Sequence, residues 1–218
     1  MKNLPLGVLR VFALAAFLPA SASAAIVAHY TFTNGSFAST AFAGYSATTI
    51  TETGFTSVNT STNVPGNGAA RAITLDQIGT TFGPDYYEFT VNTNPTGGTL
   101  SLGQLRFAYN ASGGGTGVPS SYQVHYNDLS GTAGFQNIYT SAVTQGTTDL
   151  TALVDLSGAA FQNLTSGITF RIYVADTGND NNGVSVRIDD IIVDTVPEPG
   201  AALLGLASLG GFLVRRRR

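Results

Sequence analysis

Between residues 25 and 195 the side chains able to do chemistry are few. The chain holds two histidines, His29 and His125, far apart in sequence, and no cysteine. Thiolate catalysis, disulfides and cysteine-based metal sites are excluded, and a zinc site would need carboxylates as its other ligands. Glu52 and Glu88 are the only glutamates in this stretch. Hydrolysis by paired carboxylates needs two acids facing one cleft. No G-x-S-x-G elbow is present to raise a serine nucleophile. The residues point away from catalysis, and no cofactor is expected. A polysaccharide-active enzyme with an unrecognised site is the third-ranked reading.

Two carboxylates near the end are sharper. Val184, Val186, Ile188 and Ile192 share one phase of a final strand, and Asp190 falls within that apolar phase. A carboxylate turned inward must be hydrogen-bonded or hold a cation, which makes Asp190 the candidate metal ligand. A bulge at Asp189 and Asp190 that turns both to solvent is the equal alternative. The preceding loop, 176–183, has the look of a calcium loop. Counting back from Gly183 gives Asn182, Asp180 and Gly178, so the first ligand is missing and no bidentate glutamate follows. It reads as a turn-rich connection.

A binding face is the other candidate. Tyr86 and Tyr173 stand in the outward phase of their strands, and Gln123, His125 and Asn127 alternate outward along another. Aromatic rings can stack on a sugar while amide and imidazole groups bond its hydroxyls. There is no tryptophan, and scattered surface tyrosines are the ordinary alternative.

The elements that would position these residues are strands. The stretch is rich in Gly, Thr, Ser and Asn, with short apolar-polar alternations and no long helical period. Ile26, Ala28, Tyr30 and Phe32 predict one face of a first strand. Tyr87, Phe89 and Val91 predict the buried phase of another, with Tyr86, Glu88 and Thr90 outward. Leu100 and Leu102 are out of phase with Leu105, Phe107 and Tyr109, and one extra residue at Gly103-Gln104 would restore a single apolar face, as a β-bulge does. Ile168, Phe170, Ile172 and Val174 form a central strand, with Thr169, Arg171 and Tyr173 opposite. About nine or ten strands are expected, in one all-β sandwich of jelly-roll type whose shared core includes Phe89, Phe107, Tyr126, Phe170, Ile172 and Ile188.

The two ends are of another kind. Lys2 and Arg10 precede an apolar run over 11–18, followed by Ala22-Ser23-Ala24, the small-residue pattern that a signal peptidase reads. Residues 1–24 are the expected signal peptide. At the other end Val196-Pro197-Glu198-Pro199 is followed by an uncharged apolar stretch, 200–214, and by Arg215, Arg216, Arg217 and Arg218. As a helix that stretch reaches about 22 Å, short of the hydrocarbon core, and snorkelling arginines extend it. The arginine cluster acts as a stop and belongs on the cytoplasmic side. Residues 196–218 resemble the PEP-CTERM sorting signal of Gram-negative bacteria. The resemblance implies a transient inner-membrane anchor, recognition of Pro197, Glu198 and Pro199 by an exosortase-type membrane protease, and delivery to the cell surface or extracellular matrix.

Setting the ends aside leaves four arginines, Arg71, Arg106, Arg171 and Arg187, against twelve acidic residues, a net charge of −8 where the whole chain carries −3. An acidic domain without basic patches argues against nucleic acid as a partner. The ending Val186 to Val193 resembles the last strand of jelly-roll carbohydrate-binding modules. That resemblance implies polysaccharide as a partner and an aspartate in this strand helping to hold a structural calcium. The leading expectation is a non-enzymatic surface or matrix protein that binds polysaccharide. A structural or adhesive protein without sugar binding is the alternative.

Overall fold

The structure is a computed structural model that describes residues 24–32, 36–41, 44–54, 57–61, 72–76, 86–93, 98–112, 120–129, 134–143, 150–176 and 185–196. All fall within the compact unit Ala24–Pro197. The expected signal peptide, apart from Ala24, and the sorting tail, apart from Val196, lie outside the described residues. Among the described residues no helix is long and apolar enough to cross a membrane.

The described chain is a β-sandwich of two antiparallel sheets. One sheet runs in the order β10 (Leu150–Asp155), β7 (Leu102–Ser112), β12 (Ser185–Thr195), β5 (Ala72–Asp76), β4 (Ser57–Ser61), with β1 (Ile26–Tyr30) also paired to β12. The other runs β2 (Ser46–Ala47), β6 (Tyr86–Asn92), β11 (Ile168–Asp176), β8 (Ser120–Asn127), β9 (Gln136–Val143), with β3 (Thr51–Thr53) also paired to β6. From β6 to β12 the chain crosses between the sheets five times, with only β8 and β9 following one another within one sheet. A 3-10 turn, Ala159–Phe161, sits between β10 and β11.

The inward phases meet in one core. Tyr30 of β1 packs on Phe89 of β6 with ring centres 5.1 Å apart, and Tyr109 of β7 on Tyr122 of β8 at 4.7 Å, so aromatic pairs bridge the sheets. A hydrogen bond at 3.1 Å between the Tyr109 and Ser141 hydroxyls also spans them. Phe89, Phe107, Phe170, Ile172 and Ile188 are buried as expected, and Tyr126 packs against them partly buried. Full burial of such side chains contributes about 1.5–3 kcal/mol each, which lets the domain dispense with disulfides.

Bulges decide which side chains reach that core. At Gly103 the β7–β12 register slips, Gln104 facing Asp194 and Leu102 facing Thr195, so Leu100, Leu102, Leu105, Phe107 and Tyr109 are all buried. The expected bulge is there. A second slip in β1, between Ile26 and Ala28, corrects the expected face. Val27 enters the core beside Ala28, and Ile26 does not. The strand number differs too: twelve are present among the described residues. The difference lies in 40–68, where isolated Phe42, Tyr45, Ile50 and Phe55 suggest only weak strands and loops and the chain forms β2, β3 and β4, of two, three and five residues. β3 is exposed on all three residues, and backbone pairing to β6 holds β2 and β3, which leaves no apolar period in the sequence.

Candidate functional site

The middle of the second sheet presents its outward phase as a grid. Tyr86, Tyr173 and Gln123 face one another across β6, β11 and β8, and Glu88, Arg171 and His125 form the next row. Thr53 and Thr140 extend the first row at its ends; Thr51 and Asn137 extend the second. Period-two strands with apolar residues inward dictate this placement, because every second side chain must point away from the core. Four of the five candidate ligand residues, Tyr86, Tyr173, Gln123 and His125, are brought together. Asn127 sits one row further along. Its Oδ1 accepts the Leu129 N–H at 2.9 Å, and Leu129 has φ +56°, so this side chain shapes the turn that ends β8.

The grid is built around Arg171. Its Nε–H donates to Glu88 Oε2 at 2.6 Å, and its NH1 donates to the Tyr173 hydroxyl at 3.3 Å. Its Cζ lies over the Tyr86 ring at 4.2 Å and over the Phe135 ring at 3.7 Å. A guanidinium flanked by two ring faces gains cation–π attraction from both. The Tyr173 ring is 5.2 Å from that of Tyr86 and 4.6 Å from that of His125. Gln123 Oε1 is 3.0 Å from His125 Nε2 and accepts from it in the tautomer protonated there. Burial, and then the Arg171 charge, hold His125 below the ordinary histidine range, so the ring is neutral at pH 7. The result is a half-buried surface of three aromatic side chains and an imidazole, stiffened by hydrogen bonds and edged with amides and hydroxyls.

Sequence reasoning missed two of its parts. Arg171 is legible as an outward residue of β11, but nothing local says that it organises its neighbours. Phe135 precedes β9 outside any period-two pattern, and only the fold carries it over Arg171.

The metal candidate is corrected. β12 bulges between Asp189 and Ile192, where the alternative reading expects a bulge, but Asp189 is buried and does not turn to solvent as that reading expects. The bulge reverses the phase: Asp189, Ile191 and Val193 are buried, whereas Asp190 and Ile192 are not. Asp189 Oδ1 accepts the Asp190 N–H at 2.8 Å, and Asp190 has φ +49°. Asp190 Oδ1 accepts from His29 Nε2 at 3.1 Å on the outer side of the first sheet, where Arg106 and Asp194 pair at 3.6 Å. Asp194 is raised above the ordinary carboxylate range by burial, opposed by Arg106 and His29. Calcium takes six to eight oxygen ligands. An imidazole nitrogen is one partner of Asp190 here, and among the described residues no group of three or more His, Asp or Glu is placed to hold a metal. Among the described residues the donors beside Asp190 do not make up a calcium site.

A cleft of about 280 Å³ lies at the Gly103 bulge, lined by Gln104, Ser157, Asp194 and the backbone leaving β12. It contains none of the candidate residues for ligand binding.

No protein-family model matches the chain, and no curated protein matches it in sequence. Several solved structures are similar to it. The CBM22-1 xylan-binding domain of Paenibacillus barcinonensis Xyn10C aligns at 11% identity with a TM-score of 0.46, over 80% of this chain and 97% of that one. The C-terminal family 22 carbohydrate binding module of Clostridium thermocellum Xyn10B aligns at 15% identity and 0.43, over 82% and 97%. The K3 cleaved adhesin domain of Lys-gingipain from Porphyromonas gingivalis aligns at 14% identity and 0.39, over 80% and 100%.

Proposed function

We propose that this is an exported, non-enzymatic surface or matrix protein whose β-sandwich binds polysaccharide on the outer face of β6, β11 and β8. The observation that carries the reading is the Tyr86–Tyr173–His125 cluster held in place by Arg171. Its rings offer apolar faces to sugar rings. Gln123, Asn137 and Thr140 offer donors and acceptors to hydroxyls beside them. Side chains fixed before binding lose little entropy on binding, which favours affinity. The test is a glycan array probed with the purified protein, alongside Tyr86→Ala and Tyr173→Ala. Binding that both substitutions abolish supports the reading; binding that survives both places the ligand elsewhere.

The structural or adhesive alternative has one observation in its favour. Leu150 and Leu153 are exposed on β10, the edge strand of the first sheet. Unpaired strand edges with apolar side chains are templates for another chain. A protein that binds no glycan and self-associates through β10 would decide for it.

The address rests on the sequence of 1–24 and 196–218. Signal peptidase removes the leader, the 200–214 helix holds an inner-membrane intermediate, and an exosortase-type protease cuts near Pro197, Glu198 and Pro199. Glu198 is the ionisable handle of that extended motif, suited to a basic residue in the protease by charge-assisted hydrogen bonding. Mass spectrometry of surface protein tests this: a mature form still carrying residues 200–218 refutes sorting by cleavage.

A further inference from the structure

An arginine on a binding face is ordinarily the group that captures carboxylates, because its planar fork of N–H donors matches two oxygens at once. Among the described residues of the grid, Arg171 is the one arginine and Glu88 the one carboxylate. Two of the five guanidinium N–H donors, at Nε and at NH1, are already engaged. Nε–H is held by Glu88 Oε2 at 2.6 Å, NH1 reaches the Tyr173 hydroxyl at 3.3 Å, and the rings of Tyr86 and Phe135 flank the carbon between. A sugar carboxylate approaching the Nε edge meets the Glu88 oxygens instead of a cation. The pair is neutral as a unit, so it also offers no long-range attraction to an acidic chain.

We propose that Glu88 sets the ligand class of this face: it keeps glycans bearing carboxylates out and leaves the face to neutral ones. This rests on the glycan reading above. Glu88 faces Arg171 directly across the β6–β11 ladder, so strand register, not a flexible loop, holds it there. A second source of exclusion is the net charge of −8 between residues 25 and 195. The two differ in range. Repulsion by the whole domain is screened within about 10 Å at 0.1 M salt, whereas an oxygen in the contact itself is screened much less.

The experiment measures binding of the purified full-length protein to a neutral panel (galactan, xylan, mannan, β-glucan) and to polygalacturonate and alginate. Wild type, Glu88→Gln and Glu88→Ala are compared at 0.15 M and 1 M NaCl. Wild type is expected to bind at least one neutral polymer and to bind the acidic ones far more weakly. Glu88→Gln should raise the ratio of acidic to neutral affinity by about tenfold or more, since like-charge contact costs several kcal/mol. Glu88→Ala, which opens the Nε edge altogether, should move acidic binding the same way. Three results overturn the proposal while leaving glycan binding standing: wild type binds acidic polymers as tightly as neutral ones, neither substitution raises acidic binding, or 1 M salt alone raises it as far as Glu88→Gln does. Binding of wild type to no polymer overturns the glycan reading itself, and this proposal with it.

Discussion

Replacing Arg171 by methionine tests the organisation of the grid most directly. Methionine keeps the apolar stem, so the lost contributions are those of the guanidinium. The contacts over Tyr86 and Phe135 contribute about 0.5–1 kcal/mol each at partly exposed positions. The bond to Glu88 contributes about 1 kcal/mol after solvent screening, since the Arg171 and Glu88 side chains are 25% and 32% exposed. The 3.3 Å bond to the Tyr173 hydroxyl adds about 0.5 kcal/mol. These share one group and do not sum in full, so the expected destabilisation is about 2–3 kcal/mol. For a domain of this size that lowers Tm by about 4–12 °C. His125 supplies a second readout. Burial lowers its pKa first and the Arg171 charge second, so Arg171→Met should move the His125 titration part of the way back toward 6.5, measured by NMR against His29 as the other imidazole. A Tm within about 1 °C of wild type, with an unmoved His125 titration, would refute the view that Arg171 holds the surface together.

Three further outcomes are expected. Gly103→Ala places a Cβ 2.7 Å from Thr195 O and 3.1 Å from Val196 N, both backbone, and should cost about 1–3 kcal/mol in chemical denaturation; an unchanged midpoint would mean that the β7–β12 bulge is not tight. His125 has a lowered native pKa, so the unfolded chain binds its proton first. Its contribution to stability is present above pH 6.5 and is lost as pH falls from 6.5 through the lowered value, and His125→Gln should flatten that limb of the stability–pH curve. Asp190→Asn tolerates the left-handed backbone and retains an acceptor for His29, so it should cost less than about 1 kcal/mol; a chelator should leave Tm unchanged, and a drop on chelation would restore the calcium reading.

Local alternation decided much of this fold. Tyr87, Phe89 and Val91 against Tyr86, Glu88 and Thr90, or Ile168 to Val174 on β11, are unambiguous because a strand with one buried face has a period of two. Even the Gly103 bulge was legible, because two apolar runs out of phase on one strand can share a core only if one residue is inserted. What alternation does not carry is pairing. β2 and β3 are held by backbone hydrogen bonds to β6, which any side chain permits. The slips at Val27 and at Asp189–Asp190 exist because β1 and β12 must match neighbours distant in sequence.

The candidate site divides along the same line. The order of residues is enough to set which side chains point outward on β6, β8 and β11, and hence that Tyr86, Tyr173, Gln123 and His125 belong to a solvent face. It also determined the absence of cysteine chemistry and the tripartite ends. The fold is what puts β11 between β6 and β8, setting Tyr86, Tyr173 and Gln123 in one row and Glu88, Arg171 and His125 in the next. It alone brought Phe135 over Arg171 and buried Asp189 at the β12 bulge while leaving Asp190 outside the core. The physical reason is that a side chain's direction follows from its own strand's pleat, whereas its neighbours follow from strand order and register, which are settled by core packing between segments more than 30 residues apart.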